Sequence, residues 1–220
     1  MNTDRRTAVT VGIIFIVATA ASLVGGAFGD PLLGSPDPLA ALAAHPSQAM
    51  IAALLTVASG LTSAGIALAL YPVLKRYHEG LAIGAVGFRV MEGVFYMVGA
   101  LCLLTAARAG GHLAGPDAST YRAIGSALLT ARDLAGFVFG VLAFSVGAFL
   151  YYLAFYRSNL VPRWLSMWGL IAIVLIFAAV LITLFSGATT ITGNLLILVL
   201  PIALQEMVLA VWLIVKGFNG

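Results

Sequence analysis

Charged residues are scarce in this chain of 220 residues. They make up 9% of it, whereas hydrophobic residues make up 62%. A soluble domain carries about 25% charged residues and roughly 45–50% apolar residues. The chain therefore has too little polar surface to cover a water-soluble globule, and we interpret it as an integral membrane protein.

The residues and motifs of several other protein classes are also missing. The one cysteine, Cys102, stands in an apolar run, which excludes a disulfide framework and a cysteine-rich metal site. The sequence has no phosphate-binding glycine loop, no His-Glu-x-x-His and no Gly-x-Ser-x-Gly. Its three histidines fall in loops, and no basic cluster suits nucleic acid. We therefore expect no metal, no cofactor and no nucleic-acid partner.

Long apolar runs are what the sequence has instead. A membrane-spanning helix needs about 20 predominantly apolar residues, and six stretches meet that length. They cover about residues 8–28, 47–74, 81–107, 134–156, 164–185 and 195–215. The first run is longer than the core of a signal peptide, so we expect it to remain as a helix. The predicted fold is an all-α bundle of six transmembrane helices that forms one domain over residues 1–220.

The basic residues predict the orientation of this bundle. With the N-terminus in the cytoplasm, seven of the eleven lysines and arginines fall on the cytoplasmic side. Three fall on the outer side, namely Arg108, Arg122 and Arg132. This distribution follows the positive-inside rule, and we expect both termini in the cytoplasm.

Small residues recur at helical spacing inside the apolar runs. Gly136, Gly140 and Gly147 share one helix face, and Gly60 and Ala64 share another. Small residues at this spacing let helix backbones approach closely in lipid. They favour helix packing within the bundle, and a homo-oligomer interface is the alternative.

Three charged side chains, Arg89, Glu92 and Glu206, fall near the middle of predicted spans. A central charge costs about 2.5–3.5 kcal/mol on insertion scales, so these groups must face the bundle interior or a water-filled cavity. Arg89 and Glu92 are three residues apart and share a helix face, which predicts an ion pair. Glu206 has no cation in its own helix and is the candidate to hold a proton.

Further polar residues extend this candidate site. We expect a buried pocket framed by the second, third, fourth and sixth spans to gather them. The candidate ligand-binding or proton-carrying residues are Arg89, Glu92, Tyr96, Arg132, Asp133, Gln205 and Glu206.

Two interpretations of these charges stay open. In the structural one, the ion pairs fix how the helices pack. In the functional one, a carboxyl group carries a proton, balances a charged ligand or acts as an acid catalyst, with Glu206 and Glu92 as the candidates. The leading hypothesis is a membrane protein that binds a small lipophilic molecule and moves it. The alternatives are an integral membrane enzyme acting on a lipid or isoprenoid, and an accessory or scaffold subunit.

Three segments carry a family resemblance. The loop and helix start from Tyr156 to Gly169, the region around Glu92 and the stretch from Pro201 to Phe218 resemble a bacterial membrane family catalogued as domain of unknown function 4386. The resemblance covers nearly the whole chain. It implies a six-helix protein of the bacterial inner membrane and no established activity.

Overall fold

The computed structural model describes residues 3–191 and 193–219, which form helices and no strand. A π-helical segment, Leu134–Gly140, joins the fourth helix to the fifth, and a 3-10 helix, Gly193–Leu198, precedes the last. The α-helices are α1 (Thr3–Leu33), α2 (Pro38–Ala44), α3 (Pro46–Gly110), α4 (Ala118–Asp133), α5 (Val141–Ser158), α6 (Arg163–Phe185) and α7 (Leu200–Val215).

Five continuous helices among the described residues are long and apolar enough to cross a membrane, against six predicted spans. The difference lies in α3, whose 65 residues contain the second and third predicted spans. A straight helix of that length would extend about 100 Å, roughly three times the hydrocarbon thickness of a bilayer. At His78, however, the backbone leaves helical geometry, with φ −149° and ψ 84°.

Contacts within α3 show that it folds back on itself at this break. The Ser63 hydroxyl donates a hydrogen bond to the carboxylate of Glu92. The backbones of Gly60 and Gly93 lie so close that a Cβ on Gly60 would stand 3.1 Å from the Gly93 Cα. Both pairs are nearly symmetric about His78, so the two halves of α3 run antiparallel. The five continuous helices therefore supply six apolar helical segments.

The core of the bundle contains small, aliphatic and aromatic side chains, and further large apolar side chains lie on its surface. Helix α1 packs chiefly against α3, and α3 also packs against α5. Tyr151, Tyr152 and Phe155 are completely buried in the core. By contrast, Leu23 and Leu101 are 71% and 66% exposed. Apolar surface of this extent suits contact with lipid, as expected of a multi-pass membrane protein.

Candidate functional site

A buried ion pair lies where the two halves of α3 meet. Arg89 and Glu92 are 2% and 3% exposed, and Arg89 Nη1 lies 3.1 Å from Glu92 Oε2. The same carboxylate oxygen accepts a hydrogen bond of 2.5 Å from Ser63 Oγ, and Arg89 Nε donates to the Ser63 carbonyl at 3.4 Å. The predicted i, i+3 pair is present, and the neighbouring segment supplies it with a third partner.

Glycine makes room for this pair on the opposing helix. A Cβ added to Gly147 of α5 would lie 2.9 Å from Arg89 Cγ and 3.2 Å from the Arg89 backbone nitrogen. The arginine side chain therefore lies directly across the glycine backbone. Gly60 and Gly140 likewise contact residues inside the bundle. At these positions the small residues serve helix packing within the chain.

Aromatic rings surround the guanidinium group of Arg89. Its Cζ lies 4.7 Å from the ring centroid of Phe144 and 5.8 Å from that of Tyr151. Cations over aromatic faces are stabilised by about 0.5–2 kcal/mol, with the larger values in desolvated sites. The rings thus give a buried cation a favourable environment in addition to its carboxylate partner.

Glu206 of α7 belongs to the same electrostatic centre. Its carboxyl group interacts with Arg89, Glu92 and Tyr151. Its Oε1 is buried and makes no hydrogen bond to any residue within 3–191 and 193–219. The hydroxyl of Tyr151 is likewise buried and makes no hydrogen bond to these residues. Two carboxyl groups therefore share one guanidinium group.

Gln205, next to Glu206, does something different. The Tyr152 hydroxyl donates to Gln205 Oε1, and Gln205 Nε2 donates to the carbonyl of Leu165 at 3.1 Å. These bonds tie α5, α6 and α7 together. Gln205 is fully buried and engaged through both amide atoms, so its geometry is that of a helix-packing residue.

Arg132 and Asp133 lie apart from the Arg89 centre. Arg132 Nη1 is 2.5 Å from Asp133 Oδ1, and the second oxygen of Asp133 accepts from Thr189 at 3.4 Å. The guanidinium of Arg132 also lies over the ring of Phe137, 5.2 Å from its centroid. The predicted candidates therefore form two groups rather than one.

A cavity of about 480 Å³ lies next to both groups. Most of its lining residues are glycine, alanine or leucine, chiefly from α1 and α3, and the π-helical segment contributes Gly136 and Phe137. Its polar lining residues are Ser22, Asp30, Thr56, Ser59, Tyr96 and Arg132.

Tyr96 connects the cavity to the buried charges. It lines the cavity, its ring lies against Gly140, and it interacts electrostatically with both Glu92 and Arg89. A molecule in the cavity would therefore be separated from the ion pair by one aromatic side chain. Neither Glu92 nor Glu206 lines the cavity itself.

The position of the cavity differs from the prediction. We expected spans two, three, four and six to frame it, but α1 forms a wall, and the sixth span contributes only Leu196, from the 3-10 helix. Asp30 was therefore not among the predicted site residues. The signal in the sequence was the group Gly25, Gly26 and Gly29, which line the cavity. This face of α1 also packs closely on α3, because a Cβ on Gly25 would stand 3.1 Å from Leu55 Cβ.

Comparison with known proteins gives a family but no activity. No curated protein and no solved structure matches the chain. The model of one family, described as a domain of unknown function (DUF4386), matches residues 10–217, which is nearly the whole chain. The chain thus belongs to the DUF4386 family.

Proposed function

We propose that this chain is a multi-pass protein of the bacterial inner membrane, with both termini in the cytoplasm, that binds a small lipophilic molecule and moves it through the membrane. The supporting observation is the cavity of about 480 Å³ that Tyr96 connects to the buried Arg89–Glu92 pair. Cavities that bind small molecules have volumes of about 300–1,000 Å³ and mostly apolar walls with a few polar groups. This cavity fits both criteria.

The charge count of the buried centre supports coupling to protons. Arg89 supplies one positive charge, whereas Glu92 and Glu206 together supply two carboxyl groups. An uncompensated charge inside a membrane protein is costly, so we assign a proton to one carboxyl group. Glu92 has the ion pair and the Ser63 hydrogen bond, which leaves Glu206 as the proton carrier.

The geometry favours this function over acid catalysis in the cavity. A general acid must come within hydrogen-bond reach of the group that it protonates. Glu92 and Glu206 are not among the residues that line the cavity. Their place behind Tyr96 suits an electrostatic response to a bound molecule better than direct proton transfer to it.

The test is to fill the cavity and look for loss of a bound molecule. Gly136 lines the cavity, and a Cβ there would have no neighbour within 4 Å among the described residues. Gly136→Leu should place an apolar side chain in the cavity and reduce the space for a bound molecule. Gly87 has equally open space but does not line the cavity, so Gly87→Leu is the matched control.

Mass spectrometry of small molecules released from gently purified protein is the measurement. We expect a lipophilic molecule with the wild type and with Gly87→Leu, and its depletion from folded Gly136→Leu. Retention of that molecule by folded Gly136→Leu would contradict binding in this cavity.

A further inference from the structure

We propose that the cavity selects a lipophilic cation, that is, an organic amine or onium ion with an apolar body. This inference rests on the proposed function and names the chemical class of its ligand. The walls favour the apolar body, since most of the residues that line the cavity are glycine, alanine or leucine. The charges and rings around the cavity favour a positive group.

Asp30 is a carboxylate in the cavity wall that has no basic partner among the described residues. It lines the cavity and is exposed. Within residues 3–191 and 193–219, its side chain has no ion pair and no hydrogen bond. Arg132, the cation that lines the same cavity, lies 2.5 Å from Asp133. Since Asp133 balances Arg132, the charge of the three groups together is −1.

The helix that carries Asp30 adds to this negative potential. Asp30 lies in the last turn of α1 (Thr3–Leu33), a turn that contains no basic residue. The C-terminal end of a helix carries partial negative charge on its free carbonyl groups, and it stabilises cations rather than anions. An acid at this position opposes helix stability, whereas a cation in the cavity would be attracted by the carboxylate and the helix end together.

Aromatic faces at the cavity suit the same ligand. Phe137 lines the cavity and already has a guanidinium group over its ring, at 5.2 Å. Tyr96 provides a second aromatic ring in the wall. Aromatic faces attract cations through the negative face of the ring. An anionic ligand would instead have to compete with Asp133 for Arg132.

Two ions of the same shape and opposite charge test the proposal. Tetraphenylphosphonium and tetraphenylborate have the same four phenyl groups around a positive and a negative centre. We would measure the binding of each to the purified full-length protein by isothermal titration. The cation should bind at least about tenfold more tightly than the anion, since one charge pair near a protein surface supplies about 1–4 kcal/mol, and 1.4 kcal/mol is tenfold.

Substitutions connect this preference to Asp30. Asp30→Asn should weaken binding of the cation by about fivefold to tenfold and leave binding of the anion no weaker. Asp117→Asn is the control, because Asp117 lies at the start of α4, makes no capping hydrogen bond and does not line the cavity. Each variant is first shown to elute as a folded species by size exclusion.

The outcomes separate this proposal from the proposed function. Equal affinities for the two ions, tighter binding of the anion, or no effect of Asp30→Asn would overturn the cation preference. If Gly136→Leu still abolished binding of both ions in that case, the cavity would remain the binding site. If Gly136→Leu left the binding of the ions unchanged, both the cation preference and the cavity as binding site would be contradicted. If neither ion bound to the wild type, both would be contradicted as well.

Discussion

Individual residues decide how the protein keeps charge within an apolar bundle. Arg89 interacts with Glu92, Glu206 and two aromatic rings, whereas Glu92 has both an ion partner and the Ser63 hydroxyl. Removing one member of a buried pair leaves the other charge without compensation. The effect on stability should therefore depend on which partner is lost.

Replacing both carboxyl groups, in Glu92→Gln/Glu206→Gln, should be much more destabilising than Ser63→Ala. The double substitution removes both carboxyl groups that interact with Arg89, and breaking a buried pair in this way costs about 3–5 kcal/mol. Ser63→Ala removes one hydrogen bond to an acceptor that keeps its cation, at about 1–3 kcal/mol. Thermal unfolding in detergent, followed by tryptophan fluorescence, measures both. Equal effects would mean that the ion pair contributes no more than the hydroxyl.

Glu206 should hold a proton at neutral pH because Arg89 is shared with Glu92. Infrared spectroscopy detects the carbonyl stretch of a protonated carboxyl group, and Glu206→Gln should remove that band. Asp133→Asn should leave it, since Asp133 is paired with Arg132. A band that persists in folded Glu206→Gln would contradict the assignment.

Gly147→Ala should destabilise the protein through a collision with Arg89. A Cβ there would lie 2.9 Å from Arg89 Cγ and 3.2 Å from its backbone nitrogen, and overpacking of this kind costs about 1–3 kcal/mol. Gly87→Ala meets open space and should be neutral or stabilising, because alanine favours helix. Melting temperatures of the two variants provide the comparison. A Gly147→Ala protein as stable as wild type would show that the helices can separate at this point without cost.

At the scale of helices, the sequence predicts the segments better than their arrangement. The six apolar runs lie within the helices of the structure, because length and hydropathy are local properties. The pairing of Arg89 with Glu92 followed from spacing on one helix. The contribution of α1 to the cavity wall could not be predicted from spacing, since the rotation and neighbours of each helix depend on contacts between distant residues. Gly25 and Gly29 are compatible both with close packing and with an open wall.

The contact between α2 and α4 includes an ion pair with an exposed carboxylate outside the apolar segments. Asp37 accepts hydrogen bonds from Arg122 at 2.9 Å and from the Ala40 backbone at 3.3 Å. The hydrogen bond from Arg122 lowers the pKa of Asp37 below its usual value, and the hydrogen bond from the Ala40 amide lowers it further. A lowered pKa in the folded state stabilises the fold above the unfolded value of about 3.9, and this contribution is lost as the pH falls through the folded value.

Asp37→Asn should therefore loosen α2 and α4 at neutral pH and make no difference in strong acid. The measurement is hydrogen exchange of the amides in these two helices, at pH 7 and below pH 3. At each pH, the exchange rates of the variant are compared with those of the wild type at the same pH. Asp117→Asn is the control. A difference between Asp37→Asn and wild type that grows towards acid pH would reverse the sign and contradict the interpretation.

Contacts between distant parts of the chain identify one end of the whole molecule. Arg76, next to the break in α3, pairs with Asp4 at the start of α1 at 2.8 Å. Arg5 donates hydrogen bonds to the carbonyls of Leu213 and Ile214 at the end of α7. The start of α1, the end of α7 and the turn of α3 therefore lie at one end of the bundle, and the proposed orientation puts that end in the cytoplasm.

Reporter fusions test this orientation. Fusions at Asn2 and Asn219 should both report the cytoplasm, and a fusion in the segment between α4 and the preceding helix, at Gly115, should report the outer side. The expectation follows from the excess of basic residues at the end that contains both termini. A periplasmic signal from either terminus would contradict it.

The break at His78 has a consequence for how the protein is made. The two apolar halves of α3 are joined by a single non-helical residue, so almost no chain is available to keep one half waiting outside the membrane while the other inserts. The second half also carries Arg89 and Glu92, which meet Ser63 only when the first half is beside it. The two halves should therefore enter the bilayer together, as a preassembled helical hairpin, during biosynthesis.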